Sequence, residues 1–161
     1  MKRKPALAGA LLLAAFSGAR AEPDARAWIL GGLEDKNADS IYLGYGTPES
    51  DDSVVSFTCA PESGVAKIWI SETSDKLKAG EKATALLTVG GIKAKAAGKL
   101  MPNEEAGVPS FEGRLPAKDP IFAAMAAGGT LDLAVGAAKH SAPLAGGSDK
   151  IQKFAAACAK R

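Results

Sequence analysis

Two pairs of adjacent carboxylates, Asp51-Asp52 and Glu104-Glu105, are the side chains best placed to do chemistry, with Glu112 and Asp119 further along. Two carboxylates flanking a scissile bond carry out glycoside hydrolysis, and hard cations take oxygen ligands. The pattern therefore raises two options, a general acid/base pair and a calcium site. No EF-hand spacing or other calcium-loop order accompanies it, and carboxylates on loops are ordinarily solvated. His140 is the only histidine. Alternation puts it on the face of Ala142 and Leu144, which predicts a partly buried, hydrogen-bonded ring rather than a catalytic base. No serine occupies a Gly-x-Ser-x-Gly elbow, and no glycine run has the order that cradles phosphate. No catalytic residue, metal ligand or cofactor is expected.

The residues best suited to recognition are aromatic: Trp28, Tyr42, Tyr45 and Trp69. Alternation places Tyr42 and Tyr45 on opposite faces of a regular strand, so one of them points away from the core. Trp69 shares a face with Lys67, opposite Ile68 and Ile70. An aromatic beside a lysine is suited to a protein partner or a glycan, and equally to being covered by a helix.

These side chains are positioned by short apolar runs separated by Gly, Pro, Asp and Ser clusters, which is the signature of a mainly β domain. Strands are expected at Trp28–Gly31, Ser40–Tyr45, Val54–Cys59, Val65–Ser71, Lys82–Val89, Ile92–Ala97, Ser110–Leu115, Thr130–Val135 and Lys139–Leu144. Gly90-Gly91 suits a two-residue hairpin turn with positive φ. In the arm after it, Lys93 and Lys95 should face water, opposite Ile92, Ala94 and Ala96. Pro143 marks the last strand as an edge. Residues 101–109 read as a surface loop.

Two helices are expected. Asp119 caps Ile121–Ala127 with Pro120 at its first position, and Gly128-Gly129 stops it. The second follows Gly146-Gly147, with Ser148 as its cap. In it Ile151, Phe154, Ala155 and Cys158 form one apolar stripe.

Residues 1–21 read as a secretory signal peptide. Lys2, Arg3 and Lys4 precede the apolar run Ala6–Phe16, and Ala19-Arg20-Ala21 supplies small residues for cleavage before Glu22. The run is too short to span a bilayer, which takes about 20 residues. Residues 22–161 then form a single mainly β domain of 140 residues, a β-sandwich or a β-barrel, with no transmembrane segment. The leader takes four of the 20 basic residues, leaving 16 against 18 acidic ones and a net charge of −2. The basic balance of the whole chain is thus no argument for nucleic acid.

Cys59 and Cys158 are the only two cysteines. In a chain bound for an oxidising compartment they are expected to form a disulfide from strand to C-terminal helix. Neither belongs to a Cys-x-x-Cys redox motif.

The early Trp28, the strand ending Phe57-Thr58-Cys59, and the run from Val135 to Cys158 resemble small exported proteins of Gram-negative bacteria. Asn103–Gly113 with Asp119-Pro120-Ile121-Phe122 is similar to a signature of uncharacterised secreted proteins. The order of these features resembles the invasion-associated locus B family and small periplasmic accessory proteins of type VI secretion. The resemblance implies a β-sandwich or β-barrel in the periplasm and carries over no active-site residues. The expected function is a non-catalytic periplasmic or secreted binding protein whose partner is an envelope protein or glycan. The alternative is a hydrolase acting on envelope glycans or esters through the loop carboxylates.

Overall fold

The structure is a computed structural model that describes residues 26–35 and 37–160. The leader expected over residues 1–21 lies outside them. The chain runs β1 (Ala27–Gly31), β2 (Ile41–Gly46), β3 (Ser53–Cys59), β4 (Val65–Ile70), β5 (Lys82–Val89), β6 (Ile92–Met101), β7 (Ser110–Pro116), α1 (Pro120–Ala127), β8 (Thr130–Val135), β9 (Ala138–Pro143) and α2 (Ser148–Cys158).

All nine strands join one antiparallel sheet in the order β1-β2-β3-β4-β7-β6-β5-β8-β9. Between sandwich and barrel, the answer is a single curled sheet rather than two stacked ones. Among the described residues no ladder joins its edges β1 and β9. They are linked instead by a side chain, as Trp28 Nε1 donates to the Pro143 carbonyl at 2.8 Å.

The alternation read from the sequence decides what lies inside the curl. Leu43, Val55, Phe57, Ile68, Ile70, Leu87, Phe111 and Leu133 point inward and are buried. Both helices close over this face. The rings of Phe57, Phe122 of α1 and Phe154 of α2 pack at centroid distances of 5.5 to 6.3 Å. The Cys59–Cys158 disulfide, with Cα atoms 5.8 Å apart, ties the last turn of α2 to the end of β3. Such a bridge belongs with an oxidising setting, and no described helix is long and apolar enough to cross a membrane.

Three local expectations need correction. β6 runs four residues past Ala97, because Gly98 pairs with Gly113 of β7 at a close approach of the two strands. A Cβ on Gly98 would collide with the Glu112 carbonyl and lie 2.7 Å from Gly113 Cα, so glycine here continues the strand instead of ending it. Ile92 is 46% exposed rather than inward-packed, since it sits at the open end of the β5–β6 hairpin. Ser148 does not cap α2. Its hydroxyl donates to the Ala126 carbonyl at 2.6 Å, which links α2 to α1, and Gly147 takes the cap position. The Asp119 cap of α1 forms as expected, accepting from Ile121 N at 2.9 Å.

Candidate functional site

The register brings one end of every strand to a common rim. The start of β1, the β2–β3 turn, the β4–β5 loop, the β6–β7 loop and the β8–β9 turn gather there. The disulfide lies at the opposite end, where β3 finishes. A cleft of about 770 Å³ opens at the rim.

Four of the carboxylates singled out in the sequence meet in this cleft. Asp51 and Asp52 come from the β2–β3 turn, Glu104 and Glu105 from the β6–β7 loop, and Glu72 joins them after β4. Asp52 is fixed in place: Thr47 Oγ1 donates to its Oδ2 at 3.1 Å, and Arg26 approaches the same oxygen at 3.5 Å. Glu112 lies elsewhere, on the outer face of β7 opposite Trp69. Asp119 is a helix cap and takes no part.

Asn103 builds the wall that carries Glu104 and Glu105. Its side-chain amide donates to the Ser71 carbonyl at 3.0 Å and to Ser110 Oγ at 2.8 Å, while its oxygen accepts from Ala106 N at 3.1 Å. One half-buried side chain thus joins the β6–β7 loop to the end of β4. The sequence reading missed Asn103, Glu72 and Arg26. An Asn opening a loop directly after a strand, with free backbone donors to follow, was the available signal.

Ser71, Ser110 and the histidine at the rim are committed to backbone groups. Ser71 Oγ donates to the Ser53 carbonyl and Ser110 Oγ to the Ser71 carbonyl. His140 Nε2 lies 2.7 Å from the Glu72 carbonyl oxygen, which can only accept, so the ring carries its proton there. This is the half-buried, hydrogen-bonded imidazole that alternation predicted, pinning β9 to the β4–β5 loop. It forms no pair with a serine hydroxyl. Among the described residues, no group of three or more His, Cys, Asp and Glu side chains is placed to hold a metal ion.

The aromatic set divides in two. Trp28 and Tyr45 point inward and pack ring to ring at 5.6 Å, both buried. Tyr42 and Trp69 stand on the outer face of the sheet and are half-buried. Between them is Ser56, paired with Gly44 on one side and Trp69 on the other. The Tyr42 ring folds back over Gly44, where any Cβ would strike its hydroxyl. Ser56 is only 8% exposed although it faces outward, consistent with flanking rings that cover it. Burial raises the Tyr42 pKa above its usual 10.0, with the hydrogen bond to the Ser53 side chain pulling the other way.

Trp69 lines the acidic cleft, and Tyr42 lines a smaller hollow of about 360 Å³ that shares Asp51, Asp52 and Ser53 with it. The two hollows adjoin through these residues and together present an aromatic wall, an amide-braced loop and several carboxylates. That chemistry suits a ligand with an apolar body and a positive charge, held by ring-face attraction and by carboxylate acceptors. No protein-family model, curated protein or solved structure matches this chain significantly.

Proposed function

We propose that the protein is an exported, non-catalytic binding protein of the cell envelope, and that its rim cleft receives a cationic segment of a partner protein. The observation that carries this reading is Trp69, half-buried in the wall of a cleft rimmed by Asp51, Asp52, Glu72, Glu104 and Glu105. A lysine or arginine side chain fits such a site: its stem lies along the indole and its charged end meets carboxylates from three loops. The periplasmic or extracellular setting is supported by the disulfide, by the leader read in residues 1–21, and by the resemblance to the invasion-associated locus B family.

Indole fluorescence tests the reading, because Trp28 is sealed in the core and Trp69 is the tryptophan a ligand can reach. Titration with Lys- and Arg-rich peptides should change the emission, while peptides of the same length carrying Glu should not. Trp69→Ala should weaken peptide binding by about tenfold or more, the scale of a desolvated cation–ring contact. Equal binding of both peptide sets, or an unaffected Trp69→Ala, would overturn it. Turnover of an envelope glycan or ester that disappears in Glu104→Gln or Glu105→Gln would replace it with the hydrolase reading.

A further inference from the structure

The outer face of β4-β7-β6-β5 carries a second surface, remote from the acidic loops in charge and in shape. Lys67, Arg114, Lys95, Lys99, Lys82 and Lys93 all project from it and all are exposed. Like charges stand directly opposite each other twice, Lys67 across from Arg114 and Lys82 across from Lys99. Lys95 and Lys99 flank Arg114 diagonally from the next strand, whose Ala97 is its direct partner. Glu112 is the one carboxylate at an outward position on these four strands. None of the six cations forms an ion pair among the described residues; the ion pairs found there are Arg26–Asp52 and Lys153–Asp149. Lys99 also faces Glu112 of β7, but the directly opposed like charges at Lys67–Arg114 and Lys82–Lys99 destabilise the sheet.

We propose that this face is a docking surface for an anionic phospholipid bilayer. Charge complementarity sets the sign of the partner, and the form of the surface selects its class. The cations are spread over four neighbouring strands, a width of about 15 Å at ordinary strand spacing. Five of the six are lysines, which act as mobile point charges rather than rigid bidentate forks. On β7, β6 and β5 no residue lines either hollow and no outward position holds an aromatic ring on which a base could stack; the one outward ring, Trp69 near the end of β4, belongs to the acidic cleft. A broad, grooveless sheet of lysines matches a layer of laterally mobile phosphate headgroups better than a nucleic acid strand, which needs stacking platforms or a groove-filling element.

The test is flotation of the oxidised protein with two kinds of vesicle, phosphatidylcholine alone and an equimolar mixture of phosphatidylcholine and phosphatidylglycerol. Binding to the mixed vesicles only, abolished by high salt, is the expected result. Each basic residue at an anionic surface contributes about fivefold in affinity, so Lys95→Glu with Lys99→Glu should lower binding at least twentyfold. Lys139→Glu, on the outer face of β9, should lower it far less, and circular dichroism of each variant confirms that the sheet is intact. Failure to bind mixed vesicles, equal binding to neutral ones, or equal losses in patch and control variants would overturn the proposal. So would tighter binding of a single-stranded oligonucleotide that the vesicles cannot displace. Cleft variants on the β6–β7 loop such as Glu105→Gln should not weaken vesicle binding, which separates this surface from the peptide site.

Discussion

Trp28 and Trp69 show how one residue type serves two ends. Trp28 is 1% exposed, packs at a tilt against Tyr45, and its indole N–H donates to the Pro143 carbonyl on the far edge of the sheet. Trp28→Ala should therefore cost about 3–5 kcal/mol, read as a fall in the denaturation midpoint. Trp69→Ala, at a half-buried outward position, should shift that midpoint much less while weakening binding of cationic peptides about tenfold. Alternation in the sequence separated Tyr42 from Tyr45 and put Trp69 outward. It could not place Trp28, whose strand is short and whose indole partner lies 115 residues away. Tyr42 offers a test by titration. Its folded pKa is raised, so the stability it lends is fully present below the unfolded value near 10 and is lost as pH rises through the folded value. Ultraviolet difference spectra of the phenolate should show one tyrosine ionising above pH 10 in the native protein, absent in Tyr42→Phe. Loss of stability setting in well below pH 10 through this group would contradict the assignment.

At the scale of elements, strands announce themselves and loops do not. Every strand and both helices were legible, because period-two alternation and the Asp119-Pro120 cap are local signals. The acidic cleft was legible only as separate pairs of carboxylates, since nothing local says that the β2–β3 and β6–β7 loops share a rim. That follows from β7 pairing with β4 although β5 and β6 intervene in the chain, a matter of sheet order. The strand expected over Ile92–Ala97 runs on through Gly98, because close approach to β7 requires a glycine there. Gly98→Ala should push Gly113 and the Glu112 carbonyl away and cost about 1–3 kcal/mol, measured by urea denaturation. Hydrogen exchange should quicken at the β6–β7 ladder first. An unchanged ladder would mean that the strands are not so close.

For the molecule as a whole, the burial of Phe154 and the disulfide are two distinct attachments of α2, beside the Ser148 link to α1. Phe154 is fully buried against Phe57 and Phe122, and the disulfide closes a loop spanning 99 residues. Phe154→Ala should cost about 3–5 kcal/mol from lost transfer energy and a cavity. Reduction should cost about 4–5 kcal/mol by restoring freedom to the unfolded chain, while the sheet persists. Together they should release α2, and circular dichroism melts of the four combinations should show the combined loss exceeding either alone. A Phe154→Ala protein melting within about a degree of the parent in both redox states would show that α2 is not docked. The pairing of Cys59 with Cys158 was legible because each had a single possible partner. The curl of the sheet was not, because closure is a property of all nine strands at once.

The contact between Trp28 and Pro143 has a further consequence for the order of events in the life of the chain. The first strand waits for the ninth, and the third waits for the last helix to supply its cysteine. A chain emerging amino end first can form the β1–β4 meander early, but that meander has no partner for its outer strand β4 until β7 arrives. Contacts this distant in sequence make folding slow relative to local helix or hairpin formation. The topology therefore delays tertiary closure until the carboxyl end of the chain is present.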